Sequence, residues 1–211
     1  MLPSLAQSLP VPNSIPGFRS PYQIQPLPFQ PGRLRGLSAL QIQRHYEEQY
    51  AEAIRRLNQL ERLLKTASPQ ERLSLRREQW FVYNFARLHE LYFGNLGGEG
   101  IPKGASLQLI NTSFGSYEAW LQDLKALALN PNSEPLWLLT VYQPERQRLV
   151  NLRVTRAEEQ MIGAIPILVL DLEPHAYGHD YGSRQSDYFM AVLQNIRWET
   201  LNERLHQIGI R

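Results

Sequence analysis

Two stretches of helical period, separated by the break Ala67-Ser68-Pro69, constrain this chain most. In the first, Ser38 is a candidate N-cap. Ile42, His45 or Tyr46, Gln49 or Tyr50, Ala53, Leu57, Leu60 and Leu64 then recur near helical spacing. The second runs from Pro69 to about Phe93, with Phe81, Phe85, Leu88 or His89, and Tyr92 on one face. Long helices joined by so short a break predict an antiparallel hairpin. His45 and His89 fall on its inner faces. A lone histidine on an apolar face is ordinarily a satisfied core residue, but two facing each other across a hairpin are less easily dismissed as such.

Beyond the hairpin the pattern changes. Gly94 to Gly104 is glycine-rich, yet no strand precedes it and no Gly-Lys-Ser/Thr follows, so it reads as a connector rather than a phosphate cradle. Helical patterns follow around Ile101 to Ile110 and Ser116 to Leu129. Leu136 to Tyr142, Arg148 to Thr155 and Ile165 to Leu170 read as strands, with Gln143-Pro144-Glu145-Arg146 turning between the first two. One amphipathic helix from Ser186 to His206 closes the chain. The expected fold class is α+β: a long antiparallel helical hairpin, then an α/β lobe with a small three-stranded antiparallel sheet.

Eight prolines lie before residue 37 and forbid a helix there. Residues 1–36 are therefore expected to form either a partly disordered tail or an extended arm. Ile15, Phe18, Tyr22, Ile24, Leu27 and Phe29 would anchor it on its own core or a neighbouring subunit. The domain reading is 1–36 arm, 37–96 hairpin and 97–211 α/β domain. A net charge of +2 with scattered basic residues argues against nucleic acid. The absence of cysteine excludes disulfide, zinc-thiolate and iron–sulfur chemistry. No apolar run reaches the roughly 20 residues a bilayer requires, and no secretory pattern opens the chain. No membrane partner and a cytoplasmic location are expected.

The chemistry concentrates at Asp171-Leu172-Glu173-Pro174-His175-Ala176-Tyr177, directly after the apolar strand Ile165 to Leu170. A strand ending in a carboxylate, with an imidazole four residues on, aims both groups at one point. With His45 and His89 they make a three-His, one-Asp set with an open position. Such O/N ligation suits iron or manganese in a redox role, or zinc in a hydrolytic one. A local alternative would use Asp171, His175 and His179 on one helix, but Pro174 and Gly178 speak against a continuous helix there. His206 reads as a surface residue.

The ordered series of landmarks resembles the iron/manganese superoxide dismutase family over roughly residues 26 to 208. They are Leu27-Pro28-Phe29, His45-Tyr46 running on to Leu57-Asn58, His89-Glu90-Leu91-Tyr92-Phe93, Phe114-Gly115-Ser116 and Leu136-Trp137-Leu138. Asp171, His175-Ala176-Tyr177, Asp180-Tyr181, Tyr188 and Trp198-Glu199 complete the series. The resemblance implies one iron or manganese ion per chain, bound by His45, His89, Asp171 and His175 with water or hydroxide as fifth ligand. It implies superoxide, or dioxygen, as the small-molecule substrate, and iron is slightly preferred.

The residues around those four depart from the family. Gln49 stands for a histidine, Ala53 for the gateway tyrosine and Phe93 for a tryptophan. Phe85 and the region near Arg156 stand where the active-site glutamine would be. Glu173-Pro174 replaces Trp-Glu, and Gly178 replaces a tyrosine. Hydrogen bonds around the ion tune its potential, so these changes should shift it. Glu173 is expected to coordinate the metal, act as a general base or point to solvent. Tyr46 and Gln49 are the other candidate catalytic side chains. The missing bridge residues put the usual homodimer in doubt. The alternatives are a metal-dependent oxidase or oxygenase using space at Ala53, and a non-catalytic protein that keeps the fold.

Overall fold

The computed structural model describes residues 21–129, 137–154 and 163–210. Ser38 starts the first helix, α1 (Ala39–Arg44), by accepting the backbone N–H of Gln41. A π-helical segment, His45–Ala51, continues it without a break into α2 (Glu52–Thr66). The buried residues explain the doubled positions in the sequence pattern. His45, Tyr50, Ile54, Leu57 and Leu60 face the core, and the interval from His45 to Tyr50 is the five-residue step of a π turn. Tyr46 and Gln49 are half-buried.

The partner helix, α3 (Pro69–Gly94), opens with a reciprocal capping box between Ser68 and Glu71 and with Pro69 in its first turn. Its inner face is Val82, Ala86, His89 and Phe93. Phe81, expected inside, is 40% exposed and stacks on Phe85 at the rim, because the inward stripe runs one residue out of phase with it.

The glycine-rich loop is the connector expected. Gly98 and Gly100 donate to the carbonyls of Asn195 and Ile196, and Arg197 N–H donates to Asn95. A Cβ on Gly98 would lie 2.4 Å from the Arg197 backbone, so a side chain there would break the contact. The same contact overturns the single closing helix. The chain instead forms α7 (Gln185–Leu193) and α8 (Trp198–Gln207). At the gap, Asn195 is 1% exposed and its amide bonds the backbone of Arg35 on both sides.

Between these come α4 (Gly104–Phe114), α5 (Tyr117–Ala128) and three strands, β1 (Trp137–Gln143), β2 (Arg148–Val154) and β3 (Ile165–Asp171). The sheet order is β2-β1-β3, antiparallel throughout. The expected strand ends Leu136 and Thr155 lie outside the described residues. Arg204 on α8 is half-buried and donates to Leu91, Asn95 and Ile167, clamping the end of α3 to β3. Among the described residues no helix is long and apolar enough to cross a membrane.

Candidate metal centre

Four elements deliver one side chain each. His45 opens the π segment, His89 lies in the last turns of α3, and Asp171 is the final residue of β3. His175 is the second residue of α6 (Pro174–Tyr181). Pro174 and Gly178 do not interrupt that helix: proline occupies its first position, where no N–H is needed, and the helix continues through Gly178. His179 shares the helix but is exposed and stands outside the cluster, as does exposed His206.

One ligand atom from each of His45, His89, Asp171 and His175 lies within 4.8 Å of all the others. Asp171 Oδ2 is the hub, 3.0 Å from His45 Nε2, 3.0 Å from His175 Nε2 and 3.5 Å from His89 Nε2. The far sides of two imidazoles fix their tautomers. His89 Nδ1 donates to the Phe85 carbonyl at 2.8 Å, and His175 Nδ1 faces Glu173 Oε2 at 3.3 Å. Neutral His89 then presents its Nε2 lone pair to a carboxylate oxygen, whereas His175 Nε2 lies at hydrogen-bond distance from that oxygen and would become a ligand once a cation replaced its proton. His89 Nε2 has no hydrogen-bond partner among the described residues. Lone pairs converging on an anion repel, and a cation among them turns the repulsion into coordination.

The electrostatics agree. Burial pulls the His45 imidazole below its usual range and takes His89 down to about 3, with His45 adding to the effect at His89. Burial works the same way on His175, but the hydrogen bonds and charges of Asp171 and Glu173 outweigh it and raise that imidazole to about 10. Asp171 is held below the usual carboxylate range: burial opposes this, but His175 and His45 prevail. The carboxylates demand a positive charge here, proton or metal.

The polar supports come mainly from the sheet side. Asp171 Oδ1 accepts the Glu173 N–H at 2.8 Å. Tyr188 OH donates to the Asp171 carbonyl at 2.8 Å and lies 3.0 Å from Tyr92 OH. Gln41, 2% exposed, donates to the His175 carbonyl and accepts from His179 N–H, tying α1 to α6. A buried amide on a helix face is the signal in the sequence that this role left. The walls are aromatic: Phe93 and Tyr92 lie 5.0 and 5.1 Å from His45, Phe85 4.3 Å and Trp137 4.9 Å from His89.

The family described as iron/manganese superoxide dismutases, C-terminal domain, matches residues 102–204. A superoxide dismutase [Fe] of Cupriavidus metallidurans is 36% identical over 183 residues, covering 84% of this chain and 93% of that protein. The chain belongs to the iron/manganese superoxide dismutase family. A superoxide dismutase [Fe] of Aquifex aeolicus is 30% identical over 199 residues, 88% of this chain and 92% of that protein. A superoxide dismutase [Mn] 2 of Haloferax volcanii is 35% identical over 123 residues, 57% of this chain and 60% of its own length.

Against that family, the altered positions fall as follows. Ala53 belongs to the apolar core and is 7% exposed, rather than lining an open cleft. Glu173 turns its carboxylate to His175 Nδ1, the side of the ring away from Asp171, so it backs a ligand atom's ring instead of joining the four. Tyr46 does not reach the cluster. Its hydroxyl donates to the Gln25 carbonyl at 2.7 Å, while Tyr50 OH accepts the Gln25 N–H, so both tyrosines hold residues 21–30 against the hairpin. Gln49 sits half-buried on the π segment, outside the four. Arg156 lies outside the described residues.

Proposed function

We propose that the protein is a superoxide dismutase in which His45, His89, Asp171 and His175 hold one iron or manganese ion. The observation that carries this reading is the convergence of one N or O atom from each of His45, His89, Asp171 and His175, all within 4.8 Å of one another, with His89 Nε2 lacking any hydrogen-bond partner among the described residues. The identity to relatives named superoxide dismutase supports it independently. Held by those four residues, the ion would supply one-electron chemistry, for an overall conversion of two superoxides and two protons into dioxygen and hydrogen peroxide.

The chain's own groups hold that chemistry in place. Asp171 brings one negative charge against the cation, and the three imidazoles set its geometry without adding charge. Glu173 orients His175 and increases its basicity through Nδ1, the carboxylate–histidine–metal arrangement. Phe85, Phe93, Tyr92 and Trp137 exclude bulk water, which strengthens every charge interaction inside. Tyr46 closes the N-terminal segment over the ligand helix, and Gln49 is the polar group one turn beyond His45. The hairpin and the α/β lobe each supply two ligands, as the division at residue 96 implies. The finer readings are a cytoplasmic location and a homodimer built without the family's bridge, since Pro174 offers no carboxylate for it.

The test is metal content and superoxide removal measured on one sample. About one ion per chain is expected, with removal per ion well above that of the free ion. Loaded protein no faster than free iron or manganese would sink the proposal.

A further inference from the structure

Among the groups packed against the four side chains, one is a donor with nothing to donate to. Trp137 opens β1 directly opposite Asp171 in the ladder, so the two side chains leave the same face of the sheet. Its ring lies 4.9 Å from His89, edge to face, and 6.4 Å from Phe85. The residue is 0% exposed, and its Nε1–H has no hydrogen-bond partner among the described residues. A buried indole N–H ordinarily has one.

The neighbouring donors are engaged. Tyr92 OH is paired with Tyr188 OH, which bonds the Asp171 carbonyl, and Tyr46 OH is committed to Gln25. The other unpartnered nitrogens beside the centre, His45 Nδ1 and His89 Nε2, belong to the ligand set itself. An unmet N–H is not enough alone: Trp198 Nε1 is also unpartnered, but it packs on Tyr117 and Trp120 at 6.0 Å each. Trp137 differs by its place. Superoxide is an anion, and an anion drawn into a wall of aromatic rings needs a donor there.

We infer that the Trp137 indole N–H is the hydrogen-bond donor that positions a small anion at the metal centre. This rests on the proposed metal reading. It makes Trp137 an anion-positioning residue in a chain where Phe85 and Ala53 offer no polar side chain.

Azide, a stable small anion, tests it by optical titration of iron-loaded protein. Trp137→Phe keeps an aromatic ring and removes the N–H. At equal iron content, azide affinity should fall about tenfold to hundredfold, the loss typical of a hydrogen bond to a charged group. Trp198→Phe should leave it unchanged. Affinity within about twofold of wild type in Trp137→Phe overturns the inference. If that variant does not fold, wild-type zinc-loaded protein with nitrogen-15 in its 4 tryptophans gives a second readout. Azide should move one buried indole proton downfield. An indole proton that stays shielded, as one resting on the Phe85 ring would, overturns the inference. Protein that takes up no metal defeats the proposed function as well; protein that takes it up with unaltered azide affinity defeats the inference alone.

Discussion

The hairpin and the sheet lobe each contribute two side chains to the cluster of four, but they hold them by different physics. His45 and His89 are wrapped in rings and apolar side chains, and His45 Nδ1 has no hydrogen-bond partner among the described residues. Helix phase and packing aim them, with a single backbone hydrogen bond, from His89 Nδ1 to the Phe85 carbonyl, fixing one ring. Asp171 and His175 sit in a web of hydrogen bonds from Glu173, Tyr188 and Gln41. Packing specifies where a helix face lies but not how a ring is turned, whereas hydrogen bonds specify orientation atom by atom. A centre built from both gets its position from the helices and its fine geometry from the strand end.

The largest effects should come from the ligands, irrespective of the half. His89→Ala and Asp171→Asn are both expected to abolish stoichiometric metal, read by elemental analysis, and with it superoxide removal. Either variant retaining one ion per chain would break the symmetry of the scheme. Next, Leu57→Ala in the hairpin removes a 0%-exposed core side chain and should cost about 2–5 kcal/mol in denaturant unfolding. Metal affinity of the folded fraction should change little, because no ligand hydrogen bond is touched. Glu173→Gln should do the reverse, weakening metal affinity about 10–100-fold in competition with a chelator while shifting unfolding little. Equal metal affinity in Glu173→Gln and wild type would mean that the sheet half, too, works by packing alone. The smallest effect is Tyr188→Phe, which deletes the buried hydrogen bonds to the Asp171 carbonyl and to Tyr92 OH and should cost about 2 kcal/mol.

The two halves should also separate by pH in metal-free protein. His89 stands at about 3 folded against 6.5 unfolded, so between those values the unfolded chain binds the extra proton, and stability falls as pH drops through that window. His175 stands at about 10 folded against 6.5 unfolded, so the folded protein binds the extra proton. Its contribution is complete below 6.5 and is lost as pH rises towards 10. Thermal melts should therefore show a maximum near pH 6.5. In His89→Phe the acid limb should shrink, and in His175→Phe the alkaline limb. Melts in which neither variant alters its limb would refute the assignment.

Much of this was legible in the residues. Ser38, the Ala67-Ser68-Pro69 break and the 3-to-4-residue spacing of leucines are local signals, and local backbone preferences enforce them. The grouping of His45, His89, Asp171 and His175 was legible as well, from helix phase, the strand end and the resemblance to the family taken together. The π turn left a trace only as paired alternatives at His45/Tyr46 and Gln49/Tyr50. The break in the closing helix left no local trace, because the gap at Gln194–Arg197 is made by partners far away, Arg35 and the glycine-rich loop. Pro174, a helix breaker by residue type, is a starter by its place in the first turn.

The sequence by itself determined the helical hairpin, the three strands and the inward direction of His45 and His89, since those follow from residue type and spacing along one segment. Only the tertiary structure decided which atoms face one another: that Glu173 backs His175, that Tyr46 turns to Gln25, and that Trp137 meets Asp171 across the sheet with its N–H unmet. Side-chain orientation depends on contacts between segments distant in the chain, and no periodicity within one segment encodes them.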